Sequence, residues 1–215
     1  MIDQQRPQAD ADNDETGAIP TRNLELKVRC SGSDLDDVRA RLLALGRPSA
    51  RAEHQVDTYF AVRHGRLKLR SIAPAGGQRS VELIAYARPD AAGSRWSEYR
   101  RVPLAIADAR NMERALAQTI GVAVVVAKTR EVVMNGRTRI HLDQIDGLGT
   151  FIELETVVTD QSVAVAQSEH AATVELIGLD RFAPVSGSYG DLVRARDAGR
   201  KEPQRTSAWE RVENE

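Results

Sequence analysis

The stretch Leu24-Glu25-Leu26-Lys27-Val28-Arg29 alternates apolar residues with charged residues. Successive side chains of a β-strand point to opposite faces, so this pattern predicts a strand with one apolar face and one ionic face. Three later segments repeat the alternation and predict three more strands of the same kind. Their charged positions are Arg66, Lys68 and Arg70; Arg137, Arg139, His141 and Asp143; and Glu153 and Glu155.

The recurrence of ionic strand faces indicates that these faces meet. A salt-bridged outer surface is the ordinary interpretation of any one such segment, but four of them favour a shared interior. A sheet that closes on itself would enclose the charged side chains and leave its apolar face for helices to cover. Such an interior suits a polyanion together with its metal ion.

Length and composition limit the classes of protein that fit. The chain has 215 residues, of which 41% are apolar and 28% charged, and its formal net charge is −1. Aromatic residues make up only 4%, and there is no basic stripe, so no nucleic-acid partner is expected. No apolar run has membrane-spanning length, and the N-terminus lacks the features of a signal peptide. These observations predict a cytoplasmic protein with no membrane partner.

One domain is predicted between two polar ends. Residues 1–21 and 198–215 are expected to be disordered tails, which leaves a domain over 22–197. The predicted fold class is α+β, mainly β: a closed eight-stranded antiparallel tunnel barrel with a few covering helices. The strands are predicted near 23–30, 55–62, 66–72, 80–87, 96–103, 122–134, 137–143 and 150–158, and the helices over 33–45, 108–120 and 161–177.

Each predicted helix has one apolar side to cover the barrel wall. Ser33 is the expected N-cap of the first helix. The predicted stripes are Leu35, Val38, Leu42 and Leu45 in the first helix and Met112, Leu116 and Ile120 in the second.

Inward-pointing cations from several strands would bind a chain of phosphates. A triphosphate carries roughly four negative charges at neutral pH; Arg binds its oxygens in pairs, and Lys acts as a point charge. Phosphate would repel carboxylates in the same cavity unless a divalent cation stood between them, and their oxygens suit Mg²⁺ or Mn²⁺. The expected inward cations are Lys27, Lys68, Arg70, Lys128, Arg130 and Arg139, and the expected metal ligands are Glu25, Asp143, Glu153 and Glu155.

Other polar residues have less specific interpretations. His141 has the strand parity of a general base, although a hydrogen-bonded structural histidine is the commoner interpretation. Tyr189 is expected to be a packing residue in a loop. The pair Arg100 and Arg101 is expected to be a solvated strand end.

These residues resemble the CYTH family, the triphosphate tunnel enzymes that include class IV adenylate cyclases and thiamine triphosphatases. Order and spacing agree over about 23–193. The matching segments are Leu24-Glu25-Leu26-Lys27, Gln55-Val56-Asp57-Thr58-Tyr59-Phe60, Gly65-Arg66-Leu67-Lys68-Leu69-Arg70, Lys128-Thr129-Arg130, Arg139 with Asp143 ahead of Gly147-Leu148-Gly149, and Phe151-Ile152-Glu153-Leu154-Glu155.

The resemblance implies an antiparallel tunnel, two-metal chemistry and a triphosphate bound by the inward cations. By the same resemblance, the three glutamates named above would hold the metal, and Asp143 would assist. Lys27, Arg70 and Lys128 are the cations expected to act in catalysis.

Two positions depart from the family pattern. Asn23 stands where the family has its first carboxylate, so one metal ligand is neutral. Ala87 stands near a family lysine, and its neighbour Arg88 has the opposite strand parity.

The functional prediction is a metal-dependent enzyme that acts on a triphosphate compound, of the class IV adenylate cyclase kind, converting ATP to cyclic AMP and pyrophosphate. The alternatives are an inorganic or thiamine triphosphatase, a non-catalytic sensor of nucleotide or polyphosphate, and, least favoured, a structural adaptor. A homodimer formed through a barrel edge or a covering helix is left open.

Overall fold

The computed structural model describes residues 21–49 and 51–199, so the predicted tails lie almost wholly outside the described residues. Eight strands and four helices follow one another along the chain. The strands are β1 (Thr21–Cys30), β2 (Glu53–Phe60), β3 (Arg66–Pro74), β4 (Ser80–Ala87), β5 (Arg95–Leu104), β6 (Val122–Asn135), β7 (Thr138–Ile145) and β8 (Gly149–Val158). The helices are α1 (Gly32–Ala44), α2 (Ile106–Thr119), α3 (Val163–Ile177) and α4 (Tyr189–Ala198), with a 3-10 turn at Leu179–Arg181.

The strands form a closed barrel in the order β1-β5-β4-β3-β2-β6-β7-β8. Every neighbouring pair is antiparallel, and the predicted eight-stranded barrel is confirmed. In this order β1 and β2 stand on opposite sides of the bore. Closure leaves no open sheet edge among these strands.

The barrel wall is ionic inside and apolar outside, as the alternation predicts. On β1, Asn23, Glu25 and Lys27 line the bore, whereas Leu26 and Val28 pack outward into the largest apolar cluster. That cluster joins β1, β7 and β8 to the apolar sides of α1 and α3. Its fully buried members include Val28, Leu42, Ile140, Leu142, Ile152, Leu154 and Ile177.

The N-cap of helix α1 lies two residues before its predicted position. Ser31, not Ser33, is the N-cap: its hydroxyl accepts from the backbone N–H of Asp34 at 3.1 Å, and the Asp34 carboxylate accepts from the backbone N–H of Ser31 at 3.0 Å. The predicted stripe holds through Leu42, but Leu45 lies past the helix end and is 47% exposed.

The buried face of helix α2 overlaps the predicted stripe, since Met112 is half-buried and Leu116 packs against the apolar cluster that contains Ala109. Ala109 and Glu113 are its buried residues, while Ile120 is exposed at the C-cap. The Glu113 carboxylate accepts a hydrogen bond from Thr58 on β2 at 3.0 Å. Apolar periodicity does not reveal the burial of Glu113, which this polar contact accompanies.

Helix α4 is an element that the sequence interpretation missed. Ser188 and Asp191 form its capping box, and its first turn enters one end of the barrel. There Gly190 approaches the ring of Tyr59, and a Cβ at residue 190 would lie only 3.2 Å from that ring. The close approach favours glycine at this position, because any larger residue would need the Tyr59 ring to shift by a few tenths of an ångström. No helix among the described residues is long and apolar enough to cross a membrane.

Candidate active site

The bore of the barrel holds a cavity of about 350 Å³. Eight Lys and Arg side chains and four Glu side chains line it, together with Asn23, Gln55, His141 and the first turn of α4. The cations are Lys27, Lys68, Arg70, Arg88, Arg101, Lys128, Arg130 and Arg139, and the acids are Glu25, Glu53, Glu153 and Glu155.

All six cations predicted from the sequence therefore face one cavity. Three other cations of the predicted ionic faces do not. Arg29 is exposed at the end of β1, Arg66 lines a second cavity beyond the start of α4, and Arg137 precedes β7 and pairs with Asp160 outside the barrel. Arg29 and Arg66 lie at the ends of β1 and β3, and Arg137 lies just before β7, so alternation does not bring these terminal charges into the cavity.

Asp57 holds two of the inward cations in place. Its carboxylate accepts from Lys68 Nζ at 2.9 Å and from Arg70 Nε at 2.7 Å. Burial would raise the pKa of Asp57, but Arg70 and Lys68 outweigh it and keep the pKa well below its usual value. Burial and the neighbouring Arg70 lower the pKa of Lys68 to about 8, against the opposing effect of Asp57.

Asp143 holds a third cation from behind the cavity wall. Arg130 binds it through Nε and Nη2, both at 2.6 Å, and the Tyr189 hydroxyl donates to it at 2.8 Å. The carboxylate is fully buried, and burial would raise its pKa; Arg130 and Lys128 lower that pKa instead. The structure thus places Asp143 as the anchor of Arg130, and its expected role as a metal ligand stays a prediction.

Glu153 lies at the centre of the cavity between two cations. It is 3.2 Å from Lys27 Nζ and 3.0 Å from Arg130 Nη2. His141 is buried beside it, with Nδ1 at 3.8 Å from the Glu153 carboxylate, and this nitrogen has no hydrogen-bond partner in the structure. Burial and Arg130 lower the pKa of His141, so the imidazole is neutral near pH 7.

Arg88 points into the bore, although strand alternation predicts the opposite direction for its side chain. Ala87 ends β4 on the exposed outer face, and Arg88 turns into the bore, where it pairs with Glu25. Both of these side chains are 3% exposed. Arg88 Nη2 also donates to the Gly187 carbonyl at 3.0 Å, which ties the segment before α4 to the cavity wall. Arg88 therefore brings a cation into the bore from the position next to Ala87.

Asn23, the other position that departs from the family pattern, lies at the end of the bore away from α4. Asn23 donates its amide Nδ2 to Glu155 at 2.5 Å, and Arg139 donates to the same carboxylate at 3.1 Å. Asn23 Oδ1 is buried and has no hydrogen-bond partner in the structure. A neutral oxygen without a partner therefore lies beside a carboxylate on the cavity wall.

Lys128 differs from the other inward cations. It is 1% exposed, yet among residues 21–49 and 51–199 no carboxylate or carbonyl lies within hydrogen-bonding distance of its ammonium. The ammonium nitrogen lies over the ring of Tyr189, 5.2 Å from the ring centroid. Burial, followed by the neighbouring Arg130, keeps the pKa of Lys128 well below its usual value. An unpaired buried ammonium is costly unless an anion binds it.

The oxygen donors of this cavity fit a hard divalent cation better than zinc. Glu25 and Glu155 are register partners on β1 and β8, and Glu153 lies two residues before Glu155 on β8. Asn23 Oδ1 has no hydrogen-bond partner among the described residues. Their present arrangement is one of ion pairs: within the described part of the chain, no group of three His, Cys, Asp or Glu side chains is arranged to hold a metal. The donor chemistry fits Mg²⁺ or Mn²⁺, and the ligand set stays a prediction.

Two cavity residues had a usable signal in the sequence: Tyr99, which the sequence interpretation missed, and Arg101, which it took as part of a solvated strand end. On β5, Tyr99 and Arg101 share one parity; Tyr99 donates to Glu25, and Arg101 lines the cavity and binds Glu82 through two nitrogens at 2.7 and 2.8 Å. Arg100 points to the exposed outer face, and Arg101 lines the cavity although its side chain is 43% exposed, so solvent reaches both members of the pair. Tyr189 had no strand pattern around it, and its contact with Asp143 depends on α4.

Solved structures share this architecture. The PH1012 protein from Pyrococcus horikoshii OT3 is 19% identical, with a TM-score of 0.65 over 79% of this chain and 98% of that chain. A Vibrio parahaemolyticus protein whose name proposes an adenylate cyclase is 19% identical, with a TM-score of 0.60 over 80% and 97%. The Mimivirus capping enzyme triphosphatase is 9% identical, with a TM-score of 0.52 over 76% and 91%. At such low identities these likenesses show the fold alone.

No curated protein matches the chain. The family model of the CYTH domain matches residues 21–176, which include all eight strands, the helices α1 and α2, and all of α3 except its last residue. The resemblance that the charged strands suggest is confirmed by this match. The chain belongs to the CYTH domain family.

Proposed function

We propose that this protein is a metal-dependent enzyme that acts on a triphosphate compound inside its tunnel. The observation that carries the proposal is Lys128, a residue that is 1% exposed and lines the cavity without forming an ion pair with any of the described residues. Folding a chain around such a charge is unfavourable unless the cavity binds an anion. A phosphate group of the substrate supplies that anion.

The other inward cations extend this site along the bore. They come from strands on several sides of the barrel: Lys27 on β1, Lys68 and Arg70 on β3, Arg130 on β6 and Arg139 on β7. A triphosphate with roughly four negative charges would draw Lys and Arg side chains from their carboxylate partners to its own oxygens. Lys27, Arg70 and Lys128 would then stabilise the charge that develops on the leaving phosphate.

The carboxylates released in this way account for the metal dependence. Glu153, Glu155 and Glu25 would hold Mg²⁺ or Mn²⁺, with Asp143 in support through Arg130. The metal supplies neutralisation of charge on the phosphate oxygens when it is bound. The protein's own contribution is to fix the phosphates and to keep the cavity closed at the α4 end.

The favoured reaction is of the class IV adenylate cyclase kind. The ribose 3′-oxygen of ATP attacks the α-phosphorus, the bond from that phosphorus to the bridging oxygen of the β-phosphate breaks, and the hydroxyl proton passes to solvent. The products are cyclic AMP and pyrophosphate. In the alternative, water attacks the terminal phosphorus of inorganic or thiamine triphosphate and releases orthophosphate.

A non-catalytic sensor is the second candidate, and the neutral Asn23 in place of a carboxylate favours it. In either case we expect a cytoplasmic protein whose partner is a small triphosphate and not a nucleic acid.

The test is incubation of the purified full chain with ATP, inorganic triphosphate or thiamine triphosphate, each with Mg²⁺ or Mn²⁺. Cyclic AMP with pyrophosphate supports the cyclase, and orthophosphate supports the triphosphatase. Tight binding without any product supports the sensor. Absence of both binding and turnover with all three compounds contradicts the proposal.

A further inference from the structure

Gln55 lines the tunnel and carries a buried hydrogen-bond acceptor that no described residue uses. Its side chain is 2% exposed and lines the cavity. The amide Nε2 donates to Glu53, which fixes the amide orientation, and Oε1 is left buried without a hydrogen-bond partner. Buried amide oxygens are nearly always paired, so an unpaired one that faces a ligand cavity points to a donor on the ligand.

The position of Gln55 places this acceptor beside the phosphate site and away from α4. Gln55 lies on β2 four residues before Tyr59, which contacts Gly190 at the start of α4. Its register partner on β6 is the unpaired Lys128, and its register partner on β3 is Ile72. One neighbour is therefore a cation predicted to bind phosphate, and the other is an apolar side chain.

The wall around Gln55 has a composition different from that of the phosphate site. Ile72 on β3 and Val132 on β6 line the same cavity, on the two strands that flank β2. Glu53 lies two residues from Gln55 on the same strand face. Acceptors and apolar side chains together suit an organic group that has flat apolar faces and N–H or O–H donors at its edge.

We propose that these four residues, Glu53, Gln55, Ile72 and Val132, form a subsite for the non-phosphate part of the substrate. We call them the amide rim. The substrate class is then a nucleoside triphosphate, whose base or sugar donates a hydrogen bond to Gln55 Oε1 while Lys128 binds a phosphate. Inorganic triphosphate lacks the organic group and leaves the amide rim empty. This inference rests on the proposed function and specifies its substrate.

The test compares ATP with inorganic triphosphate by isothermal titration calorimetry, using the full chain and variants with Mg²⁺ present. Gln55→Leu removes the acceptor at similar volume, and Ile72→Ala removes the apolar wall. We expect Gln55→Leu to weaken ATP binding about tenfold, the effect of one lost hydrogen bond, and to change inorganic triphosphate binding less than twofold. Ile72→Ala should weaken ATP binding about threefold with the same selectivity.

A matched control tests whether the second cavity, and not the amide rim, binds the organic group. Ala123→Leu narrows the second cavity, beyond the start of α4, where Ala123 lies with Val62 and Val124. We expect this variant to bind both ligands like the wild type. A loss of ATP binding in Ala123→Leu with no loss in Gln55→Leu would place the organic group in the second cavity and overturn the inference.

The remaining outcomes separate the inference from the proposed function. Equal weakening of both ligands by Gln55→Leu, or no weakening of ATP, overturns the amide rim and leaves the triphosphate tunnel intact. Failure of the wild type to bind either ligand overturns the proposed function, and the inference with it.

Discussion

The hydroxyl of Tyr189 donates a hydrogen bond to the carboxylate of Asp143 at 2.8 Å. This contact joins the first turn of α4 to the buried acid that holds Arg130, so the end of the tunnel and the phosphate site form one connected structure. Lys27 Nζ lies 3.9 Å from the centroid of the same tyrosine ring. Tyr189 is therefore a structural part of the site and not only a packing residue.

Replacement of Tyr189 by Phe should destabilise the protein while keeping its fold. The variant leaves one oxygen of a fully buried carboxylate with a partner fewer, which costs about 1–3 kcal/mol of unfolding free energy. Equilibrium unfolding in urea measures this cost. An unchanged midpoint and slope would show that the bond to Asp143 contributes nothing to stability.

Removal of Arg88 should cost more than removal of an exposed arginine. Arg88→Met leaves the buried Glu25 without its cation, which predicts a loss of about 3–5 kcal/mol. The matched control is Arg22→Met, whose partner Glu98 is exposed at 62%, and which should cost about 0–1 kcal/mol. Urea unfolding of both variants measures the difference, and equal losses would contradict the account of the Glu25 pair.

Binding of a triphosphate should take up protons in mildly alkaline solution. The pKa of Lys68 is about 8 because of burial and the neighbouring Arg70, so the free protein loses this charge as the pH rises through that value. A bound polyanion favours the charged ammonium, so affinity should fall as the pH rises from 7 to 9. Calorimetric titrations at pH 8.5 in buffers of different ionisation enthalpy measure the uptake.

The control for this prediction is Lys68→Arg, because a guanidinium stays charged across the same range. The variant should take up fewer protons than the wild type and lose less affinity at high pH. Identical proton uptake in the two proteins would assign the titration to another group.

The two glutamates of β8 should control the metal dependence. The double variant Glu153→Gln with Glu155→Gln keeps the side-chain volumes but removes both charges, and we expect turnover with Mg²⁺ or Mn²⁺ to fall more than about a hundredfold. Mn²⁺ binding, followed by electron paramagnetic resonance, should weaken in parallel. Glu131→Gln is the control, since Glu131 pairs with Arg39 outside the barrel. Full metal-dependent turnover in the double variant would exclude these residues as ligands.

Much of the barrel and of its inner face is predictable from the sequence, because the side-chain period of a strand is two wherever the strand is regular. Lys27 on β1, Lys68 and Arg70 on β3 and Glu153 on β8 all lie where the alternation places them. The rule depends on local geometry alone, and the closed barrel keeps that geometry over long strands.

The remainder depends on contacts between distant parts of the chain. Arg88 follows the last residue of β4, where alternation has no fixed meaning, and it turns inward because Glu25 is buried opposite it. Helix α4 has ten residues and only a short apolar stripe, and its capping box and its contact with Tyr59 fix its position. The sequence also does not predict that Lys128 lacks an ion pair. The buried carboxylates Asp57 and Asp143 pair with other cations, and this pairing depends on the folded structure.

The most direct measurement of the central claim is a titration of the wild type and Lys128→Met with inorganic triphosphate in the presence of Mg²⁺, alongside urea unfolding of both proteins. Because Lys128 has no anionic partner among the described residues, the methionine variant should be as stable as the wild type or more stable. Its affinity for triphosphate should be at least about tenfold weaker, since a buried phosphate contact is lost. Unchanged affinity, or a large loss of stability in the variant, would contradict the account of a tunnel whose unpaired buried cation binds phosphate.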